Sequence, residues 1–338
     1  MTRPREELNR LAFDWDSTSR NDSRDHHNFS SIIEDILFHG DLRFEDYQAF
    51  AEDGPFVRKL ANWIGNGRTE QERKTLCLLA KFILFVDSVH LKVLYRDAYR
   101  RIIVPWLLTG NLSLDDQLAP DYEARVLSVL RKRLLLSVTE SFSFSDFLSI
   151  NSLPNLPRPT MLGEKPAKVF HRLPSDFDRF DGALITEDFV GSGLQSGKVL
   201  LELLNHLPTT WPVAFVPLII LESGHQHLRR TFAESRIDIK PVLVVRDRFC
   251  LKEEAVPGEA EEFKRIRTFI RSSANRVLQR LDRQDVVPRN PFGFRSSGAI
   301  LVTAHNTPNN TLPLLHHKAP LWEPLFRRIS HQSEDGLK

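Results

Sequence analysis

Between Ser152 and Pro174 the chain carries prolines at 154, 157, 159, 166 and 174. Proline removes a backbone donor and restricts the residue before it, so this stretch excludes a long helix and favours loop or turn. It reads either as a link between two parts of the chain or as an active-site loop. The periodicity of the sequence changes across it, which divides the chain into two expected regions, 1–150 and 151–338.

Roughly the first 145 residues read as helix after helix. Pro55 suits the opening of one, where its missing N–H does no harm. Thr69 and Glu72 form a capping-box pair ahead of a helix whose Leu76, Leu79 and Ile83 share a face. Ser88 caps a segment with Val89, Val93 and Ile102, and a kink or stop is expected at Pro105. Pro120 opens another helix, with Val126, Val129, Leu130 and Leu134 as its core face. No strand-like alternation of comparable length and no internal repeat is evident here.

Beyond Pro174, short apolar runs alternate with helical patterns. A strand ending at Thr186 is followed by a glycine turn and a helix through Lys198–Leu204. Then come an apolar run Val213–Leu221, a helical segment from His225, and a strand Val242–Val245. A charged helix spans about Glu259–Asp282, and a last strand runs Ala299–Val302. Strands alternating with helices imply α/β structure: a parallel sheet with helices on its faces, preceded by an all-helical N-terminal region. Ligands of such sheets bind beyond the carboxyl ends of the strands.

One segment carries chemistry. After Ala183-Leu184-Ile185-Thr186 come Glu187, Asp188, Phe189 and Val190, then Gly191-Ser192-Gly193 and Leu194-Gln195-Ser196. Two acids leave the strand, small flexible residues turn the chain, and a helix begins at once with its free N–H groups pointing into the turn. That arrangement suits an anion, with the hydroxyls of Ser192 and Ser196 adding hydrogen bonds. The carboxylates beside it suit sugar hydroxyls or a hydrated magnesium ion. A ribose 5-phosphate presents both features at that separation. The blander reading is that a strand, a glycine turn and a helix recur in many α/β proteins and that an acid pair can be merely solvated.

Residues Ala183 to Gln195 resemble the signature with which phosphoribosyltransferases hold phosphoribosyl pyrophosphate. The resemblance implies that Glu187 and Asp188 contact the ribose hydroxyls and serve as the catalytic pair. Gly191, Ser192, Gly193, Gln195 and Ser196 would hold the 5-phosphate, and Asp188 would meet Mg2+ through the ligand or water. The sequence departs from the pattern at Thr186, usually apolar, and at Gln195, usually Thr or Ser. The segments His305–Leu315 and Leu321–Arg328, with Phe85–Ile103 in the helical half, are similar to the phosphoribosyltransferase-like proteins of bacterial conflict systems. That likeness implies a role in antiviral defence and a partner protein. Two functions follow: a magnesium-dependent transferase acting on phosphoribosyl pyrophosphate or a related nucleotide, or a non-catalytic sensor that signals to its partner.

Other residues are candidates for the pocket rim. Asn306, Asn309 and Asn310 follow the last strand and could read a base edge, or could build a proline-containing loop through Asx-turns. Glu222 and Arg246 follow other strands, where each could equally cap a helix or form a salt bridge. The pyrophosphate loop has a weak candidate in Met161-Leu162-Gly163-Glu164-Lys165, with Arg158 and Lys168 nearby. Trp322 and Phe326 read as packing residues. The pairs His225/His227 and His316/His317 lack the three or four convergent ligands that zinc needs. The arginines of the Glu259–Asp282 helix follow its acids in the order the helix dipole favours, so nucleic acid is not the expected partner. With 41% hydrophobic and 27% charged residues and a net charge of +2, the composition is that of a soluble globular protein. No apolar run is long enough for a bilayer, and the polar start and two distant cysteines, Cys77 and Cys250, are expected of a cytoplasmic protein.

Overall fold

The computed structural model describes residues 2–19, 27–48, 50, 54–109, 118–139, 141–153, 156, 159–163, 179–279 and 288–328. In chain order its helices begin with α1 (Thr2–Ser19), α2 (Phe29–Leu42), α3 (Phe56–Gly65) and α4 (Glu70–Lys81), followed by strand β1 (Leu84–Val86). Next come α5 (Ser88–Asp97), a π-helical turn Ala98–Ile103, α6 (Val104–Leu108), α7 (Tyr122–Arg131), β2 (Arg133–Ser137), α8 (Phe144–Ile150) and β3 (Thr160–Met161). Then follow β4 (Gly182–Val190), α9 (Leu194–Leu204), β5 (Val213–Leu221), α10 (Glu222–Thr231), β6 (Ile237–Ile239) and β7 (Leu243–Val245). The chain continues with α11 (Glu262–Val277), β8 (Leu301–Thr303) and α12 (Pro313–His316).

The chain groups into two compact units. One joins residues 1–88 with 248–338, and the other is the continuous stretch 89–247. This grouping differs from the division expected near residue 150. It arises because β2, in the front half, pairs along its whole length with β4, from Arg133 beside Gly182 to Ser137 beside Thr186.

The continuous unit holds a six-stranded sheet in the order β3-β2-β4-β5-β6, with β7 also on β5, and every pairing is parallel. Alternation puts Leu134, Leu136, Ala183, Ile185, Val213 and Phe215 in one cluster with Val199 and Leu203 of α9 and Leu228 of α10. Leu135, Leu184, Ala214 and Val216 on the other face are buried as well. A sheet covered on both faces needs near-continuous apolar strands, which β5 supplies. Each fully buried side chain of this kind contributes roughly 1.5–3 kcal/mol. Pro217 lies mid-strand in β5. Its carbonyl accepts from Val242 N–H, so its donorless nitrogen faces the break between β6 and β7, where no ladder bond is lost.

The other unit is knit from the two ends of the chain. Phe44, Phe56, Phe85 and Phe326 pack ring on ring, with centroids 4.9–6.1 Å apart. Tyr47 Oη donates to Arg327 O at 2.6 Å, and the indoles of Trp63 and Trp322 both donate to Leu314 O at 2.8 Å. Trp322 and Phe326 are thus packing residues, as expected. β8 pairs with β1 in a separate two-stranded parallel sheet, so the last strand does not extend the large one.

Several local expectations hold. Thr69 caps α4 by accepting from Glu72 N–H, and Pro55 precedes α3 as its N-cap. Before Pro105 the chain forms a π turn, with Val104 N–H reaching Tyr99 O, and Pro105 itself sits in the first turn of α6, so the helix does not stop there. Others fail. Val89 and Val93 are exposed, and α5 buries Leu91 and Tyr95 instead. Leu134 lies in β2, not on a helix with Val126 and Leu130. The charged helix is shorter than expected, at Glu262–Val277, and Asp282 lies outside the described residues. Among the described residues no helix is long and apolar enough to cross a membrane.

His316 offers a test of packing in the discontinuous unit. Its ring is buried, with Nε2 3.2 Å from Thr311 O, and burial followed by the Arg328 charge pushes its pKa down from 6.5 to about 3. The unfolded chain takes up this proton first, so the stability from neutral His316 is present above pH 6.5 and is lost as pH falls toward 3. Urea unfolding of His316→Gln is expected to show a shallower loss of stability than wild type between those pH values.

Candidate functional site

The strand order sets where a ligand crevice is expected. Numbered by sequence within the continuous unit, β3-β2-β4-β5-β6 is the order 2-1-3-4-5. The chain leaves β2 toward one side and returns to lay β4 on the other. At such a switch point the connections diverge beyond the carboxyl ends and leave room for a ligand. Residues following β2 and those closing β4 therefore share one edge.

Strand β4 runs to Val190, four residues past the expected end, and Phe189 and Val190 pair with Ile219 and Ile220. Glu187 and Asp188 are therefore strand residues near the carboxyl edge. Glu187 is only 2% exposed. Its Oε1 accepts from Thr139 Oγ1 at 2.6 Å and from Ser141 Oγ at 3.1 Å. Its Oε2 has no hydrogen-bond donor among the described residues. Burial, then the charge of Asp188, holds the Glu187 carboxyl well above the usual carboxylate range. Asp188 is half-buried, and its Oδ1 accepts from Ser141 Oγ and Phe189 N, both at 2.7 Å. The two acids thus converge on one hydroxyl. Thr139 Oγ1 lies 2.5 Å from that hydroxyl.

The turn after β4 is held by close backbone packing. Gly193 has φ 75° and stands as N-cap of α9, a left-handed conformation that favours glycine. A Cβ on Gly193 would meet Gly224 O at 2.8 Å, and one on Gly224 would meet Gly191 O at 2.0 Å. The first turn of α10 thus seats the turn, and only glycine permits the approach. Ser192 is half-buried, Ser196 buried and Gln195 exposed on the first turn of α9.

The Thr186 departure has a structural cause. Its buried hydroxyl donates to Leu136 O at 3.2 Å, tying β4 to β2. Glu222 opens α10 and its Oε2 accepts from Asp247 N at 3.0 Å, while Arg246 is exposed just after β7. Met161, Leu162 and Gly163 line the β2 edge, with Leu162 N–H and Gly163 N–H donating to Ser137 O and Val138 O. Arg158, Glu164, Lys165 and Lys168 lie outside the described residues.

Asn306, Asn309 and Asn310 belong to the other unit. There Asn310 builds the loop: its carbonyl accepts from Ala299 N and Ser297 Oγ, and its amide donates to Ser297 Oγ at 3.2 Å. Arginines of α11 are committed within that unit as well. Arg267 pairs with Glu259 at 2.7 Å and Arg276 with Glu72 at 3.0 Å, and Arg265 donates to Thr75 Oγ1. No group of three or more His, Cys, Asp and Glu suited to a metal occurs among the described residues.

Thr139 and Ser141 are the site residues that sequence reading missed. Their signal was present: an apolar run Leu134–Leu136 leads into Ser137, Thr139, Ser141 and Ser143, hydroxyls at every second position. Reading the preceding helix through Leu134 concealed it.

An acid pair and a glycine turn at the switch point of a parallel sheet, with helices flanking it, define the phosphoribosyltransferase-like class of α/β domain. The PRTase-CE family model matches residues 60–328, and the chain belongs to that family. No curated protein and no solved structure matches it.

The seat of the turn is directly testable. Gly224→Ala drives a methyl group into Gly191 O, and overpacking of this kind costs about 1–3 kcal/mol. Thermal unfolding of Gly224→Ala is expected to show a lowered midpoint, whereas alanine at Gly65, where a Cβ meets nothing within 4 Å, leaves the midpoint near wild type.

Proposed function

We propose that the crevice binds phosphoribosyl pyrophosphate or a related nucleotide, and that the chain transfers the phosphoribosyl group to a nucleophile. The observation that carries this reading is the acid pair and glycine turn meeting at the β2–β4 switch point in a chain of the PRTase-CE family. Asp188 faces the ribose hydroxyls. The amides of the turn from Gly191 through Ser196, with the hydroxyls of Ser192 and Ser196, take the 5-phosphate at the start of α9. Glu222 and Arg246 stand at the rim.

Magnesium fits this site as a companion of the ligand. Asp188 is a half-buried hard-oxygen donor with one oxygen engaged by Ser141, which suits contact through water or the ligand's own phosphates. When bound, magnesium neutralises charge on the leaving pyrophosphate. The chain's part is to hold the ribose and phosphate in place. Positioning and charge stabilisation carry most of the rate for an oxocarbenium-like transition state.

A second reading is binding without turnover, with the signal passed to a partner protein. It is favoured by exposed Gln195, which stands where a hydroxyl residue is usual. We place either activity in antiviral defence within the cytoplasm, on the resemblance to conflict-system proteins.

Calorimetric titration of phosphoribosyl pyrophosphate, with and without magnesium, tests the site. Magnesium-dependent binding that Asp188→Asn weakens about tenfold, roughly 1.4 kcal/mol, is the expected result. Absence of binding to folded wild type removes the transferase reading. Pyrophosphate release in the presence of acceptors separates turnover from sensing.

A further inference from the structure

Glu187 and Asp188 are adjacent in one strand, yet their surroundings differ. Glu187 is nine-tenths or more buried, and its Oε1 already accepts from two hydroxyls of the segment after β2. Asp188 is half-buried, with one oxygen on Ser141 and on its neighbour's N–H. Oε1 is taken by Thr139 and Ser141, and Oε2, which has no donor among the described residues, is buried away from a sugar hydroxyl arriving from solvent. What Glu187 does hold is the start of the β2–α8 connection. β2 ends at Ser137, and among the described residues only Val138 N–H to Thr186 O extends its backbone pairing with β4 beyond that point. Among the described residues the bonds from Thr139 and Ser141 are the next attachments to β4; Thr139 reaches Glu187 alone, and Ser141 reaches both Glu187 at 3.1 Å and Asp188 at 2.7 Å.

We propose that Glu187 is a positioning residue. Its Oε1 anchors Thr139 and Ser141 to β4, and this anchoring sets the Ser141 hydroxyl and the Asp188 carboxylate side by side at the crevice as the pair that meets the ligand. The reading departs from the equal role for both acids that the signature implies, and it rests on the crevice being the phosphoribosyl site. The role asks for an acceptor oxygen at this position, which glutamine supplies and alanine does not. Thr139 is the other half of the same contact, so its loss and the loss of Glu187 remove one interaction.

The test compares Glu187→Gln, Glu187→Ala, Thr139→Val, the Thr139→Val/Glu187→Ala double variant and Asp188→Asn, each checked for folding by far-ultraviolet circular dichroism. With phosphoribosyl pyrophosphate and magnesium, Glu187→Gln is expected to bind within about threefold of wild type. Glu187→Ala and Thr139→Val each weaken binding by about tenfold, and the double variant is no weaker than Glu187→Ala, as residues sharing one contact behave. Equal weakening by Glu187→Gln and Asp188→Asn, or additive losses in the double variant, overturns the proposal. A ligand-free arm keeps the two readings separate. Hydrogen exchange at the amides of residues 138–143 is expected to speed by about tenfold in Glu187→Ala and to stay near wild type in Glu187→Gln. If wild type binds no phosphoribosyl pyrophosphate, the proposed function fails while the exchange arm still judges the anchor. Unchanged exchange in Glu187→Ala sinks the anchor whatever the ligand result.

Discussion

A chain that leaves β2 toward β3 and then returns to lay β4 on the opposite side of β2 cannot fill the space above the junction with its own connections. Every other feature of the candidate site depends on that crossing. It brings Thr139 and Ser141 beside Glu187 and Asp188 although some fifty residues separate them. It also places the free end of α9 at the same edge. The sheet beneath is buried on both faces, so the edge rests on a packed core. Affinity in such a site comes from groups held in place before the ligand arrives, since ordering them afterwards costs free energy.

Two kinds of close contact keep that rim in shape. One is backbone against backbone, where Gly224 meets Gly191 and Gly193 with no room for a side chain. The other is hydroxyl against carboxyl, where Thr139 and Ser141 close on the acid pair. The first is steric and insensitive to solution conditions. The second is polar and buried, so its strength rises with the exclusion of water. Together they join β2, β4 and α10 at one corner of the continuous unit. The site is thus built by packing in one direction and by hydrogen bonding in the other.

Elements with a local cause were legible in the sequence. Val213–Leu221 could be read end to end because a doubly buried strand is an uninterrupted apolar run. The α4 cap was legible because Thr69 and Glu72 are three residues apart, and the glycine turn because the conformation of Gly193 is a property of one residue. Pairings across distance were not. β2 follows α7 with only Lys132 between, and Leu134 fits the helical period of Val126 and Leu130, so the strand was hidden in its neighbour. β4 was cut short because two acids look like an exit, whereas its partner β5 continues to Leu221 and carries it on. Nothing near Leu84 or Leu301 states that the two strands lie side by side. The acids and the turn of the site were therefore readable, and the hydroxyls that meet them were not.

The unit formed by residues 1–88 and 248–338 has a consequence for how the chain is made. Its aromatic cluster needs Phe326 beside Phe44, Phe56 and Phe85. At synthesis rates of about 5–20 residues per second, Phe85 waits on the order of ten to fifty seconds for that partner. Residues 89–247 are complete well before then, and their sheet can close as a finished body while the front helices still expose the faces meant for the chain's last segment. The order of folding thus runs from the middle outward although synthesis runs from the front, and the front segment is the one left in need of shelter on the ribosome.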